Sequence, residues 1–276
     1  MNFVTLTSDI GHNDYLIGVI KAQLLQANSS LQIIDISHNV IPFNFPQASY
    51  LCRAALRNFP EFTYHVILVN LFDSKPKNLL LAFHKNQYIF CADNGLLNMI
   101  LEEKPEMVMG LNLENLDKKN TLTCTQIIAH TIAKLCNGEP IQNIGIPDIG
   151  FVEKNPLLPT TSLHHIEGQI IFIDHFENVI VNITRKQFEK QRAGRSFKIT
   201  FLRDEVISQI SESYADVQEG EKLALFNSAD YLEIAINKGN AAGLYGLKGF
   251  SDKGGQSSAI MQNRLLYQTV KIHFED

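Results

Sequence analysis

FVTLTSD at residues 3–9 and YLIGVIKAQLL at residues 15–25 decide the fold class of this chain. The first is an apolar run of strand length that ends on an acid, and the second has apolar residues at helical spacing. LQIIDIS (31–37) and YHVILVNLF (64–72) repeat the strand pattern, and the helical FPQASYLCRAALRNF (45–59) lies between them. Strands that alternate with helices predict an α/β domain whose mostly parallel sheet is covered by helices on both faces.

The next segments extend this domain. NLLLAFH and QYIFCAD predict a strand pair around the turn signal His84-Lys85-Asn86. GLLNMILEE and TQIIAHTIAKLCNG predict helices, with a short strand, MVMGLN, between them, and Gly138 is placed to end the second helix as a C-cap.

The pattern changes near residue 150. PDIGFVEKNPLLPTTSLHH contains three of the nine prolines and shows no periodicity, which is typical of a connecting segment. Beyond it the sequence predicts short strands at close spacing and only weak helices, hence a smaller all-β barrel. The strands are GQIIFID, NVIVNIT, SFKITFL, KLALFNS, LEIAINK and TVKIHFED. We therefore predict an α/β domain over 1–155, a linker over 156–165 and a β-barrel domain over 166–276.

Composition excludes several classes of protein. The 276 residues carry a net charge of -5, which does not favour binding to nucleic acid or to an anionic membrane. The apolar runs are well short of the roughly 20 residues of a membrane span. Residues 1–10 lack the pattern of a signal peptide, so we expect a cytoplasmic protein. The four cysteines form no C-x-x-C pair, and we expect buried thiols and no metal site.

Polar residues at the ends of the predicted strands are the candidates for chemistry, because open α/β sheets bind ligands there. Local structure offers another interpretation of each. Asn13 or Asp14 can cap the following helix, Asp93-Asn94-Gly95 can form a turn, and residues 174–178 can connect a hairpin. His38 by itself is typical of a hydrogen-bonded loop histidine. Spacing alone leaves these alternatives open.

Five stretches together resemble a known family. They are LTSDIGHNDYLIGVIK (6–21), DISHNVIPFN (35–44), ADNGLL (92–97), IDHFENVIVNI (173–183) and NSADYLEIAINKGNAA (227–242). The family comprises the S-adenosyl-L-methionine (SAM) hydrolases, also called SAM hydroxide adenosyltransferases, and the SAM-dependent chlorinase and fluorinase. The resemblance implies an N-terminal α/β domain, a C-terminal β-barrel and a homotrimer. It also implies that SAM or adenosine binds between one subunit's N-terminal domain and the next subunit's C-terminal domain.

The resemblance implies a role for individual residues as well. Asp9 matches the acid that binds both ribose hydroxyls, since a carboxylate can accept two charge-assisted hydrogen bonds from a diol. Phe43 matches an aromatic side chain that packs on the nucleoside. Asp14 and Asp174 match acids around the methionine end, where Asp174 is expected to pair with the ammonium group.

The remaining substrate-binding positions follow from the later motifs. Asn178 matches the amide that recognises the adenine edge through its donor and acceptor, and Phe176 is expected beside the adenosine. Ser228 matches a hydroxyl near the methionine carboxylate. The segment from Ile236 to Gly239 is expected to line the adenine, and Asn94 of ADNGLL belongs to the same substrate-binding set.

The reaction of the family is displacement at the 5′ carbon of the ribose, from which methionine leaves as a neutral thioether. Such a leaving group needs no general acid, and the resemblance implies no cofactor beyond the substrate SAM. The site must instead position a partly desolvated nucleophile opposite the C–S bond. In the hydrolases an Asp-Arg-His triad is thought to prepare the water or hydroxide.

This chain departs from the triad. The position of the aspartate is Asn70, that of the arginine is Lys77 and that of the histidine is Thr123. Asn70 cannot act as a carboxylate base, and Lys77 lacks the planar fork of arginine. Asp73, three residues after Asn70, is a possible substitute for the acid, whereas His130 lies about 10 Å along a helix from Thr123 and substitutes poorly.

Three functions therefore stay open from the sequence. The matched nucleoside frame favours an enzyme that hydrolyses SAM to adenosine and methionine. The altered triad favours a nucleoside-binding protein with impaired catalysis. Halide transfer is a lesser alternative, because no halide signature is visible. Ala229 and Asp230 also replace an Arg and a Gly found in relatives, so the methionine end is the less conventional part of the site.

Overall fold

A computed structural model describes residues 2–75, 77–101, 103–114, 118–203, 205–249 and 267–275. The chain divides into two compact units, residues 1–156 and 157–276. Glu102 and Asp276, which fall in two of the predicted elements, lie outside the described residues.

The first unit alternates strands and helices. Its elements are β1 (Asn2–Ser8), α1 (Leu16–Ala27), β2 (Leu31–Ser37), α2 (Phe45–Asn58), β3 (Tyr64–Leu68), β4 (Asn78–His84), β5 (Gln87–Ala92), α3 (Leu96–Leu101), β6 (Met107–Asn112), α4 (Thr121–Cys136) and β7 (Ile146–Pro147). In the described part of the unit the strands form one sheet in the order β2-β1-β3-β5-β4-β6-β7. β1 is parallel to β2 and β3, and β3 is parallel to β5, whereas β4 is antiparallel to both β5 and β6.

Helices cover both faces of this sheet. On one face Leu6 and Phe90 pack in a common core with Ile20 of α1 and Ile128 of α4. On the other face the sheet packs against α2 and α3, and this second core includes Ile67, Leu80, Cys52 and Leu97. A sheet buried on both sides needs apolar residues at successive positions, which is why the strand sequences read as nearly continuous apolar runs. The predicted α/β sheet with helices on both faces is confirmed, but the sheet is mixed rather than mostly parallel, since three of its six described strand pairings are antiparallel.

The second unit is dominated by antiparallel strands. Its elements are β8 (Thr160–Thr161), β9 (His165–Ile173), β10 (Val179–Thr184), α5 (Arg185–Arg192), β11 (Ser196–Leu202), β12 (Glu205–Ile207), β13 (Lys222–Phe226), β14 (Tyr231–Ile236), α6 (Ala241–Tyr245) and β15 (Thr269–Glu275). The described strands run in the order β12-β11-β15-β9-β10-β14-β13, and β8 pairs with β9. The two end strands approach each other, because Lys222 Nζ lies 2.5 Å from Glu205 Oε2. The sheet therefore curls into a nearly closed barrel around one apolar core.

Two of the predicted boundaries that differ from the structure have a local cause, and one helix was not located from the sequence. The third strand ends at Leu68 rather than at residue 72, because Asn70 turns the chain with a positive φ of 47°. Helix α4 begins four residues before the predicted start, because a capping box joins Asn120 and Thr123. Helix α5 was predicted at most weakly, yet Thr184 and Gln187 form a capping box at its start. The cysteine prediction held for Cys52, Cys91 and Cys124, which are buried free thiols, while Cys136 is half-buried.

Candidate functional site

The carboxyl ends of five strands meet at one edge of the first unit's sheet. β1, β2, β3 and β5 are parallel, and β6 shares their direction because β4 is antiparallel to both β5 and β6. Asp9, His38, Asn70 and Asn94 each follow one of these strands within two residues. This carboxyl edge is where open α/β sheets bind their ligands.

Asp9 is a partly buried carboxylate at the centre of this edge. Its Oδ2 accepts a hydrogen bond of 2.8 Å from the backbone N–H of Asn70, and its own N–H donates to Leu68 O at 3.4 Å. Burial raises the pKa of Asp9 and outweighs the opposing effect of the N–H donors. One carboxylate oxygen is thus fixed by the neighbouring strand end, while Oδ1 has no hydrogen bond among the described residues.

A buried histidine supports the loop that carries Asp9. His38 Nδ1 lies 2.8 Å from Ser8 Oγ, and the carbonyl of His38 accepts a 2.8 Å hydrogen bond from Gly11 N. His38 Nε2 lies 3.2 Å from Asp35 Oδ1, and burial lowers the pKa of His38 against the effect of that carboxylate. His38 therefore contacts the residues on both sides of the Asp9 turn, Ser8 and Gly11. This agrees with its interpretation as a hydrogen-bonded loop residue.

The loop after β3 joins Asp9 to further polar groups. Asn70 Nδ2 donates a 2.8 Å hydrogen bond to Asp73 Oδ1. Asn94 is buried and its amide is engaged by the backbone, since Nδ2 donates to Val69 O and Asn70 O while Oδ1 accepts from Leu96 N. Asn94 thus fixes the position of the Asn70 loop and starts α3, as expected of a turn residue.

The other two residues at triad positions, Thr123 and Lys77, make different contacts. The hydroxyl of Thr123 belongs to the α4 cap, where it accepts from Asn120 N at 3.0 Å and donates to Lys118 O at 2.9 Å. Lys77 is exposed, and its carbonyl accepts from Leu113 N. The structure therefore brings Asn70 and Asp73 together beside Asp9, while Thr123 serves the helix start.

Asp14 and Phe43 lie on exposed loops at the same edge. Asp14 Oδ1 accepts a 3.3 Å hydrogen bond from Leu16 N, so it assists the start of α1. Phe43 has a φ of 64° and is 55% exposed. A bulky residue with positive φ is strained, and its exposed ring is available to pack on a ligand.

In the second unit, the turn after β9 is built by its own side chains. Asp174 Oδ1 accepts hydrogen bonds from Phe176 N at 2.9 Å and from Asn178 N at 2.8 Å. Asp174 Oδ2 accepts from Asn178 Nδ2 at 3.1 Å, and Asn178 is buried. Phe176 projects from this turn and is 73% exposed. The hairpin interpretation of 174–178 is correct, and it leaves an aromatic ring and an amide oxygen for recognition.

Glu233 was missed by sequence reasoning. It is a buried acid on β14 whose Oε1 accepts a 2.5 Å hydrogen bond from Tyr214 Oη. Burial raises the pKa of Glu233, and the nearby negative charge of Asp174 acts in the same direction. The sequence did contain a signal for this residue, since Glu233 lies between apolar neighbours in a predicted strand. A glutamate is almost never fully buried without a partner.

The two remaining motif positions lie at opposite ends of β14. Ser228 precedes the strand and is exposed, and Gly239 follows it in a turn closed by a 3.0 Å bond from Gly239 N to Ile236 O. Beside Ser228, Asp230 Oδ1 lies 3.1 Å from Nε of Arg185. The charge that Asp230 adds to this loop is therefore paired by an arginine that the sequence analysis did not single out.

Neither a metal-binding cluster nor a membrane-spanning helix occurs among the described residues. No group of three or more His, Cys, Asp or Glu side chains in that part of the chain is arranged to hold a metal ion. Across the same residues, none of the helices has the length and apolar character required to span a membrane.

Comparison with known proteins decides the family. Residues 4–145 match the model of the SAM hydroxide adenosyltransferase N-terminal domain, and residues 168–252 match that of the C-terminal domain. The chain belongs to the SAM hydroxide adenosyltransferase family. The resemblance carried by the five motif stretches is thereby confirmed.

Relatives of this SAM hydroxide adenosyltransferase family member are distant but match along most of its length. The (R)-S-adenosyl-L-methionine hydrolase of Thermus thermophilus is 26% identical over 90% of this chain and 97% of its own. The hydrolase of Methanocaldococcus jannaschii is 24% identical over 88% and 92%, and the fluorinase of Nocardia brasiliensis is 25% identical over 89% and 93%. The crystal structure of an uncharacterized conserved protein from Thermotoga maritima superposes with a TM-score of 0.80 at 25% identity, covering 99% of this chain and 100% of that one.

Proposed function

We propose that this protein is an enzyme that binds SAM through its adenosine moiety and hydrolyses it to adenosine and methionine. The observation that carries the proposal is the position and hydrogen bonding of Asp9. Its carboxylate stands at the carboxyl edge of a sheet of this family, with Oδ2 fixed by Asn70 N at 2.8 Å and Oδ1 without a hydrogen bond in the described part of the chain. A carboxylate held in this way can accept hydrogen bonds from a vicinal diol of a ribose.

The nucleoside contacts are proposed from the positions that match the motifs of the family. Phe43, exposed on a loop at the carboxyl edge, is proposed to pack on the nucleoside, and Phe176 and Asn178 are proposed to contact the adenine. Both carboxylate oxygens of Asp174 already accept hydrogen bonds within its own turn. The methionine ammonium would therefore donate to a lone pair of this carboxylate that is still available. Ser228 is proposed to contact the methionine carboxylate.

Incubation of the purified protein with SAM tests the proposal. We expect equimolar adenosine and methionine, measured by liquid chromatography, at a rate proportional to enzyme concentration. Asp9→Asn should weaken adenosine binding by at least about tenfold, because it removes charge-assisted hydrogen bonds worth roughly 1.5–3 kcal/mol. Asp148→Asn, which changes an exposed acid of the same unit, is the matched control. Unchanged adenosine affinity in Asp9→Asn contradicts the ribose role.

A second candidate, a nucleoside-binding protein without turnover, is favoured by the triad positions. Asn70 carries no carboxylate and the Thr123 hydroxyl is occupied by the α4 cap. Calorimetric binding of SAM or adenosine with no adenosine release identifies this function. Repeating the incubation with chloride or fluoride and searching for 5′-halo-5′-deoxyadenosine tests halide transfer, for which the fluorinase relatives are the motive.

The homotrimer with a substrate site between subunits stays a prediction. Light scattering measures the mass of the assembly. Mixing Asp9→Asn subunits with Asn178→Ala subunits tests the site, since a site shared by two subunits regains activity that neither parent has. A mixture with no more activity than its parents contradicts a shared site.

A further inference from the structure

Asp73 accepts a hydrogen bond from the side chain of Asn70, the altered triad position, and it has a second, cationic partner. While Oδ1 accepts from Asn70 Nδ2 at 2.8 Å, Oδ2 lies 3.4 Å from Nζ of Lys154. Asp73 N also donates to Asn70 O at 3.3 Å, so the acid is tied into the turn that supports Asp9. Asp73 and Lys154 are far apart in the sequence, so the motifs did not predict their ion pair.

Lys154 is anchored at the carboxyl edge along its whole length. Its N–H donates to Asn98 Oδ1 at 3.0 Å and its carbonyl accepts from Asn98 Nδ2. The side-chain stem crosses Gly95, where a Cβ would lie only 2.4 Å from Lys154 Cγ. The ammonium group then passes over Phe45 at 4.3 Å from the ring centroid. Gly95 is thus needed for close approach as well as for its φ of 90°.

These contacts distinguish Lys154 from Lys77. Lys77 occupies the matching position of the arginine but is exposed, with no side-chain ion pair or hydrogen bond recorded among the described residues. The side chains of Lys154 and Asp73 are each about two-fifths exposed, at 38% and 40%, so the pair can meet both solvent and a ligand. An acid and a cation are therefore present at this edge, although not at the positions of the family triad.

We propose that Asp73 is the base that prepares the attacking water and that Lys154 is its positioning residue. This inference rests on the proposed SAM hydrolysis. The water oxygen forms a bond to the ribose 5′ carbon while the C5′–S bond breaks and its electron pair passes to sulfur, giving neutral methionine. One water proton passes to the Asp73 carboxylate and then to solvent, and the other stays on the new hydroxyl of adenosine. Lys154 holds the carboxylate and compensates its charge.

Single-turnover and steady-state kinetics of four variants test this. We expect Asp73→Asn to lower kcat by at least about 100-fold, the usual contribution of a general base. Lys154→Met acts through Asp73 and should lower kcat on the order of tenfold, less than removal of a direct transition-state donor. Lys154→Arg should restore most of the rate. Lys75→Met, which removes an exposed charge of the same loop, is the control and should leave kcat unchanged.

Binding measurements separate this role from a structural one. The affinity for adenosine should stay unchanged in all four variants, because Asp9 is held by the backbone of Asn70 and not by Asp73. Full kcat in Asp73→Asn overturns the inference while leaving SAM hydrolysis intact, and equal loss in Lys154→Met and Lys154→Arg overturns the role of the cation. Failure of the wild-type protein to release adenosine refutes both the proposed function and this assignment.

Discussion

Acidification is expected to destabilise the first unit through His65. This histidine lies on β3, its Nδ1 is 2.7 Å from Thr5 Oγ1, and its Nε2 has no hydrogen-bond partner among the described residues. Burial lowers the pKa of His65 to about 4. A proton added here would place a positive charge in the core, where no acid among the described residues pairs with it.

The size of the effect follows from proton linkage. Unfolding restores the pKa of His65 to its ordinary value near 6.5, so the unfolded chain binds more protons than the native chain between that pH and about pH 4. The contribution of His65 to the free energy of unfolding is therefore complete above pH 6.5 and is lost as the pH falls through this window. Between pH 8 and pH 5 the loss amounts to about 2 kcal/mol.

Urea unfolding at pH 8 and pH 5 measures this loss. His65→Gln should flatten the pH dependence by about 2 kcal/mol relative to the wild type, whatever its own effect on stability. His130→Gln, which replaces an exposed histidine of α4, should keep the wild-type dependence. An NMR titration of His65 in the wild-type protein provides an independent measurement if the variant does not fold. A titration midpoint near 6.5, or parallel pH dependences in His65→Gln and the wild type, would refute the reasoning.

Two further substitutions probe local interactions. Asn120→Ala removes the cap of α4 and should lower the free energy of unfolding by about 1 kcal/mol, measured by urea titration, with no change in adenosine affinity. A loss of affinity would contradict the assignment of Thr123 to that cap. Glu233 has a raised folded-state pKa, so the stability that its protonated form provides is lost as the pH rises above the unfolded value. Glu233→Gln should therefore raise the melting temperature at pH 8 relative to the wild type, and an unchanged or lower value counts against a buried, destabilising charge.

The parts of the fold that were predictable are those specified by local pattern. β2 has its predicted bounds because an apolar run between turn residues leaves few alternatives. Helix α5, RKQFEKQR, was hard to predict because it buries only Phe188, so its apolar periodicity is minimal. What identifies its start is the capping box between Thr184 and Gln187, a signal that hydrophobic pattern does not contain.

The residues of the candidate site differ in the same way, because local pattern predicts the position of some of them and not of others. The position of Asp9 at the carboxyl edge could be predicted because Asp9 follows the first strand and belongs to a motif. Lys154 could not, since its partner Asp73 is 81 residues away and their approach depends on the packing of the chain over Gly95. Arg185 and Asp230 are likewise 45 residues apart. Long-range ion pairs have no spacing rule, so pairs such as these are found only in the structure.

Asn70 contacts Asp9 through its backbone and Asp73 through its side chain. Asp9 is held by the backbone N–H of Asn70, so the side chain at this position can change without loss of the proposed ribose contact. Its side chain instead donates to Asp73 at 2.8 Å, and Asn70→Asp alone would place two carboxylates at hydrogen-bond distance, where like charges repel. Restoring the family's aspartate therefore requires removal of the second acid. The double variant Asn70→Asp with Asp73→Asn keeps one acid and one amide in contact and should regain kcat relative to Asp73→Asn, with adenosine affinity unchanged. A double variant no faster than Asp73→Asn would show that the position of the acid, and not only its presence, has been fixed by the rearranged loop.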